Sequence, residues 1–500
     1  MTAPAAAIAR YTAEVDKLYR AGNATEHSYR PALKSLFENI TAGLTVTNEP
    51  KHIACGAPDY IITKSGIPLG YIEAKDIPVG IDNKTNKEQF DRYKQALKNL
   101  IITNYLTFQL FVDGELAAQA ALAHETKGGI SPDKNQFPVF LELADRFTKY
   151  SGKTISNSAQ LAKTMAEKSK LLAGIIKNAL TNKTDDDTLS GQYAGFRKIL
   201  IHNLAVSEFA DIYAQTLAYG LFAARLNQKT DEPFTRYLAP RLIPQSNPFL
   251  RKFFNYVAGI NLDSRITWIV DALADLFNCA ATADIQKEFA RAAQDPYINF
   301  YETFLAEYDP ALRETRGVYY TPVPAVKFIV QAVDDILKSE FGLPKGLADY
   351  SKIKRGIPGK DGRVENVELH KVQILDPATG TGTFLAEVID KIYSYFLKNK
   401  GAWIDYCDKH VIPRINGFEI LMASYAMAHF KLDMKLKETG YSFKDKSRLR
   451  VYLTNSLEEP IKEVLELPFE KWLAAEANEA NSIKNNTPVM VVLGNPPYSG

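Results

Sequence analysis

Apolar residues recur at intervals of three and four through the first forty positions, closing with Leu33, Leu36, Phe37 and Ile40, and they predict helices there. The texture then turns β-like. Tyr60-Ile61-Ile62-Thr63 and Leu69-Gly70-Tyr71-Ile72 flank Lys64-Ser65-Gly66 and predict a hairpin. A polar helix is expected over 87–100 and a β-rich run over 101–112, ended by Asp113-Gly114. Strand, strand, helix and strand within so short a span imply a small α+β or α/β unit. From about 155 to 310 the pattern is helical again, clearest through Leu161–Leu180 and Val206–Leu226, and reads as a connector whose role is structural.

After Thr321-Pro322 strands and helices alternate. A helix is expected over 326–341, a loop or insertion over 342–364, strands at 372–375, 414–418, 450–453 and 489–493, and helices over 384–397 and from Met422 onward. Alternation at that spacing predicts a doubly wound parallel sheet. The chain is thus expected to be a multidomain α/β protein divided near 1–150, 151–312 and 313–500.

Composition narrows this little. Hydrophobic residues at 46% and charged residues at 24% fit an ordinary globular chain of 500 residues with ample core. No apolar run reaches the length of a membrane span, and the Ala-rich N-terminus is broken by Arg10, Glu14, Asp16 and Lys17, so it reads as an amphipathic helix rather than a secretory signal. Cys55, Cys279 and Cys407 are too scattered for a disulfide framework or zinc site, which implies a reducing cytoplasm. With 60 basic and 58 acidic residues, the net charge is +2, so any nucleic-acid surface must be a local patch.

Chemistry enters with Ile374-Leu375-Asp376-Pro377-Ala378-Thr379-Gly380-Thr381-Gly382-Thr383, an apolar strand running into a Gly-rich turn before a helix. Doubly wound sheets bind ligands at that end of a strand. A dinucleotide fold would place a small residue where Leu385 stands, which argues against a nicotinamide cofactor. Glu419 ends the next strand, where a carboxylate can accept both hydroxyls of a ribose. Val491-Val492-Leu493-Gly494-Asn495-Pro496-Pro497-Tyr498 then delivers an amide, two prolines and an aromatic at a strand end. The Asn495 side-chain oxygen and the Pro496 carbonyl can accept from an exocyclic amine. Pro496 and Pro497 stiffen the site, and Tyr498 can stack on a base, an interaction worth roughly 1–3 kcal/mol.

The order of these motifs resembles the gamma-class amino-methyltransferases that act on adenine N6 in DNA. The matching elements are Tyr319-Tyr320-Thr321-Pro322, Asp376 to Gly382, Glu419, Asn455, and Asn495 to Tyr498. The resemblance implies that Tyr320, Thr321 and Pro322 help close a pocket for S-adenosyl-L-methionine. It implies further that Asp376, Ala378, Gly380 and Gly382 line the methionine end, that Glu419 holds the ribose and that Asn455 contacts the adenine. Direct methyl transfer to a base flipped out of double-stranded DNA would follow.

The N-terminal hairpin carries Asp59, Glu73 and Lys75, with Asp59 and Glu73 fourteen positions apart and Glu73 and Lys75 on one strand face. Two carboxylates and a lysine on one face can hold Mg²⁺ and orient an attacking water. Gln89 and Tyr93 share a helix face, and Glu38, near the end of the preceding helix, offers a further ligand to a metal formed by Asp59 and Glu73. Together these resemble the PD-(D/E)xK nuclease superfamily, and the resemblance assigns Asp59, Glu73, Lys75 and Gln89 to catalysis.

The whole arrangement resembles fused restriction–modification enzymes of Type IIG, IIL or ISP. It comprises a small nuclease unit, a helical connector and a Rossmann-like methyltransferase sheet, with 299–320 as the approach to the methyltransferase. The expected activities are methylation of adenine N6 and Mg²⁺-dependent cleavage of unmodified DNA; the alternative is a methyltransferase whose N-terminal unit only binds DNA. Gly152-Lys153-Thr154 lacks the glycine a phosphate loop needs, since Phe147 stands there, so no ATP motor is expected within these residues. The sheet ends early at Gly500, so a C-terminal target-recognition region or a partner chain is expected to complete the protein.

Overall fold

The structure is a computed structural model that describes residues 3–48, 58–64, 67–79, 81, 86–150, 155–182, 188–230, 232–259, 262–291, 296–309, 321–358, 364–443, 447–459 and 467–495. Two helices, α1 (Ala3–Arg20) and α2 (Glu26–Ile40), open the chain. A six-stranded sheet follows, built in chain order from β1 (Leu44–Asn48), β2 (Tyr60–Lys64), β3 (Ile67–Ala74), β4 (Asn99–Thr103), β5 (Thr107–Val112) and β6 (Glu115–Ala121). All neighbours are antiparallel except β3 and β4, which are parallel because helix α3 (Lys87–Ala96) carries the chain across between them. The expected hairpin is β2–β3. The expected helix over 87–100 stops at Ala96, and the run over 101–112 is two strands, turned by Tyr105 at φ 68°. A small ribbon, β7 (Ala123–Thr126) and β8 (Gly129–Pro132), and helix α4 (Phe137–Thr148) complete this part.

Alternation decides which core each strand residue joins. Ile72, Ile101 and Leu110 face α1, α2 and α4, whereas Tyr71, Leu100, Ile102 and Phe111 join Phe90 and Tyr93 of α3 in the core of the helical region. Both faces of the sheet are therefore buried. The helical region comprises α5 (Ser158–Thr181), α6 (Thr188–Ile199), α7 (Val206–Asn227), α8 (Ala239–Leu242), α9 (Pro248–Val257), α10 (Ser264–Asn278), α11 (Thr282–Arg291) and α12 (Pro296–Tyr308), as its helical spacing predicted. Gly152-Lys153-Thr154 and Cys55 lie outside the described residues; Cys279 and Cys407 are free thiols.

Helix α13 (Val323–Ser339) leads into a departure from expectation. The stretch read as a loop contains an antiparallel ribbon, β9 (Lys352–Pro358) paired with β10 (Val364–His370). Then comes the parallel sheet. Strand β11 (Ile374–Asp376) is followed by α14 (Thr383–Ser394) and α15 (Lys400–Tyr406), β12 (Ile415–Glu419) by α16 (Met422–Glu438), β13 (Arg450–Leu453) by α17 (Pro468–Asn486), and β14 (Val491–Val492) ends the described chain. The order β13-β12-β11-β14 is parallel throughout. The chain steps outward twice from β11 and then returns to its other side, which puts the topological switch point between β11 and β14. Ile374, Ile415, Val451 and Leu453 face the large core with α14 and α16, while Leu375, Phe418 and Tyr452 face Ala480 and Ile483 of α17. Among the described residues no helix is long and apolar enough to cross a membrane.

Candidate active sites

Three of the polar residues singled out in the sequence stand at or just past the carboxyl ends of neighbouring parallel strands. Asp376 ends β11, Glu419 ends β12, and Asn495 follows β14 by three residues. Leu493 N donates to Leu375 O at 3.0 Å, so the segment beyond β14 runs alongside Asp376. A Cβ on Gly494 would stand 2.5 Å from Asp376 Oδ1, which explains why only glycine fits between Leu493 and Asn495.

The Gly-rich turn is built on internal hydrogen bonds. Asp376 Oδ1 accepts from Ala378 N at 3.1 Å, Thr379 Oγ1 donates to Asp376 O at 3.0 Å, and Thr379 N donates to Phe418 O at 2.9 Å. Gly382 caps α14 with φ at 82°, a conformation that favours glycine, and the helix N-terminus points its N–H groups at the turn. Around Gly380 the space beyond the backbone is open. Glu419 ties the turn to β12: its Oε2 accepts from Gly380 N at 2.7 Å and its Oε1 from Ile420 N and Leu421 N at 2.8 Å each. Burial pushes the Asp376 carboxyl up to about 7 against the Ala378 N–H, and Glu419 adds to the rise. Burial likewise takes Glu419 up to about 7 against its three N–H donors.

Among the described residues Asp376 Oδ2 is buried with no hydrogen-bond partner. An orphan acceptor and a second carboxylate beside an open glycine turn fit a ligand that brings donors and positive charge, as S-adenosyl-L-methionine does. Asn455 sits beyond β13, but its amide is engaged locally. Its Oδ1 accepts from Leu457 N at 3.1 Å and its Nδ2 donates to Glu458 Oε1 at 3.2 Å. Pro322 caps α13, with Thr321 before it. Tyr320, Pro496, Pro497 and Tyr498 lie outside the described residues.

The second cluster lies on the six-stranded sheet. Tyr60 pairs with Ile72, so Asp59, one residue before β2, lies opposite Glu73 on β3. Asp59 Oδ2 accepts from Ala74 N at 2.7 Å; Lys75 Nζ donates to Glu73 Oε1 at 2.5 Å, and Gln89 Nε2 reaches the same oxygen at 3.1 Å. Gln89 also donates to Tyr93 OH at 3.3 Å, one turn along α3. Burial raises both carboxyls above their ordinary range, with the charge of Glu26 adding to the rise at Asp59 and the charge of Asp59 adding to it at Glu73. Glu73 is 2% exposed, and its Oε2 is buried without a hydrogen-bond partner among the described residues. Among the described residues no three or more His, Cys, Asp or Glu side chains form a metal cage. Mg²⁺ is ordinarily held by one or two carboxylates, with water and phosphate supplying the remaining ligands, and the Asp59–Glu73 pair fits that requirement.

Glu38 is placed differently from its expected role. In the last turns of α2 its Oε1 accepts from Val46 N at 3.2 Å and faces Lys34 at 3.9 Å. The α2 carboxylate whose charge acts on Asp59 and Glu73 is Glu26, at the other end of the helix. Sequence reading missed Glu26 and Arg30, since neither belongs to a local motif. It also missed Thr379 and Ser456, whose Oγ donates to Pro377 O at 2.5 Å.

No family model matches the chain, and no curated protein matches it. Similar solved structures include a DrdV–DNA complex at 20% identity, covering 99% of this chain and 44% of that one with a TM-score of 0.43. The ATP-dependent Type ISP restriction-modification enzyme LlaBIII bound to DNA is 20% identical over 73% of this chain and 22% of that one, TM-score 0.46. The type IIG restriction endonuclease BpuSI is 14% identical over 94% of this chain and 44% of that one, TM-score 0.27. This chain thus spans less than half the length of each of these structures.

Proposed function

We propose that this chain is the nuclease and methyltransferase portion of a fused restriction–modification enzyme, methylating adenine N6 in DNA and cleaving unmodified DNA. The observation that carries the reading is the placement of Asp376 and Glu419 at adjacent strand ends, with Asn495 just past β14 across the switch point and an Asp376 oxygen that has no hydrogen-bond partner among the described residues. S-adenosyl-L-methionine would supply the sulfonium methyl that moves to nitrogen. Asp376 and Glu419 would offer acceptors to that cationic cofactor, and the open space at Gly380 would let it approach the turn from Ala378 to Gly382. Asn495 offers its side-chain oxygen to one N6 hydrogen and, with the Pro496 carbonyl, orients the amine lone pair. The displaced N6 proton passes to solvent. Pro497 stiffens this segment, and Tyr498 stacks on the flipped base.

At the other cluster Mg²⁺ would supply charge neutralisation for a scissile phosphate and an acidified water. Asp59 and Glu73 would hold it, Lys75 beside Glu73 orients the attacking water, and Gln89 keeps Glu73 in place through its amide. The division into 1–150, 151–312 and 313–500 belongs to the same proposal.

The test is a plasmid assay on the full-length protein with Mg²⁺, with and without S-adenosyl-L-methionine. Asp59→Ala should abolish cutting and keep adenine methylation; Asn495→Ala should do the reverse. Methylation without cutting under any metal condition would leave a methyltransferase with a DNA-binding N-terminal unit. Loss of neither activity in the two variants sinks both site assignments.

A further inference from the structure

Arg30 is a cation buried against the proposed metal site. It lies one helical turn after Glu26 on α2 and is 4% exposed. Its Nη2 donates to Asp59 Oδ1 at 2.7 Å and to Glu26 Oε1 at 2.9 Å. The other Asp59 oxygen is fixed by the Ala74 amide. Oδ1 is therefore the Asp59 atom turned toward α2, and the guanidinium holds it. A guanidinium keeps its charge at any pH a protein survives, so it cannot leave by losing a proton. A divalent cation drawn to Asp59 and Glu73 meets a permanent like charge already seated on one of its two carboxylates.

We propose that Arg30 is a built-in competitor of the metal. It holds Asp59 in position as a counter-ion, yields Asp59 Oδ1 when a divalent cation arrives, and retreats onto Glu26, one turn back on its own helix. Glu26 is then the acceptor that makes the exchange possible. The pair Arg30–Glu26 sets the metal concentration at which the site fills, which no local sequence motif encodes. Arg30 is a positioning residue here, and the inference rests on the nuclease reading of Asp59 and Glu73. A guanidinium that served the metal by positioning Asp59, rather than competing with it, would weaken metal binding when its charge is removed.

The two roles separate in a calorimetric titration of Mn²⁺ into the full-length chain, without DNA. Arg30→Gln should bind Mn²⁺ roughly tenfold or more tightly than the wild type, since a charge within ~4–6 Å changes a carboxylate's affinity for a cation by about that much. Glu26→Gln should move the other way, binding several-fold more weakly, because the guanidinium loses its alternative acceptor. Asp59→Asn should not bind at this site. Equal or weaker binding by Arg30→Gln, or equal or tighter binding by Glu26→Gln, overturns the inference and leaves the nuclease reading standing. The two variants are independent, so either one that folds by circular dichroism decides the sign. If neither the wild type nor Arg30→Gln shows an Asp59-dependent site, the metal reading itself falls, and this inference with it.

Discussion

At the residue scale the most informative groups are two carboxyls that burial has made reluctant to ionise. Asp376 and Glu419 are both raised to about 7, from ordinary values of 3.8 and 4.5. A folded-state value above the unfolded one means that the proton is held more tightly in the native protein. The stability contributed is complete below about 4 and is lost as pH rises through about 7. A cationic cofactor reverses the preference by favouring the ionised pair. Its affinity should therefore rise between pH 6 and pH 8, by up to about tenfold per unit for each proton released. Calorimetry with S-adenosyl-L-methionine in two buffers of different ionisation enthalpy would count those protons directly. Asp376→Asn should melt higher than the wild type at pH 8 without cofactor, and its cofactor affinity should depend less on pH. A pH-independent affinity in the wild type would mean that neither carboxyl faces the cofactor's charge.

At the element scale the parallel sheet is clamped to the helical region by one buried network. Asn247, capping α9, donates to Tyr425 OH of α16 at 2.9 Å; Tyr425 donates to Glu476 of α17 at 2.8 Å; Arg448, just before β13, holds Glu476 at 2.8 and 3.2 Å. Glu476 is 3% exposed. Removing the guanidinium strands a carboxylate where water cannot reach it, so Arg448→Met should cost about 3–5 kcal/mol in denaturant unfolding. Tyr425→Phe, which leaves the ion pair intact, should cost about 1–2 kcal/mol; equal losses would show that the charge is not the critical part. The same elements show what the sequence could and could not reveal. Arg450–Leu453 was legible to the residue, because an apolar run between polar flanks has one solution in a parallel sheet. The β9–β10 ribbon was not. Lys352, Lys354, Arg355, Val364, Glu365 and Val367 are all exposed on it, so no core imposes an apolar alternation, and its Gly and Pro residues mimic a loop. The helix over 87–100 was read too long because Leu97, Leu100 and Ile101 continue a helical spacing, whereas the helix ends at Ala96 and Leu100 and Ile101 pair within β4. Asp59, Glu73, Lys75, Asp376 and Glu419 could be proposed from the sequence because each stands at or beside a strand end in a compact motif. Glu26 and Arg30 reach the same place from a separate helix, with no local pattern to announce them.

At the scale of the whole molecule, the apolar core does not stop where the sequence texture changes. One continuous cluster runs from Tyr71, Leu100, Ile102 and Phe111 on the six-stranded sheet, through α5, α7 and α10, to Ile374, Val451 and Val491 in the parallel sheet. The junction at its N-terminal end is specific as well as apolar. Tyr71 meets Trp268 edge-on at 5.6 Å, Lys98 pairs with Glu167 at 3.0 Å, and the buried ammonium of Lys168 on α5 donates to Ala96 O at the end of α3, at 3.1 Å. A lysine at a helix C-terminus satisfies an orphan carbonyl and the negative end of the helix dipole together. Helix α3 also carries Gln89, so the helical region steadies the element that holds Glu73. The helices are then a structural half of the six-stranded sheet's core. In a fragment of residues 1–150 only α3 would cover that sheet face, leaving an apolar patch larger than soluble monomers tolerate. Such a fragment should bind a hydrophobic dye and self-associate in analytical ultracentrifugation. Extending it to residue 291 brings in α5, α7 and α10 and should restore a monomer with a cooperative melt. In the full-length protein, Lys168→Met should lower the melting temperature of both sheets together. A monomeric, dye-silent 1–150 fragment would instead make the six-stranded sheet an autonomous domain that merely rests on its neighbour.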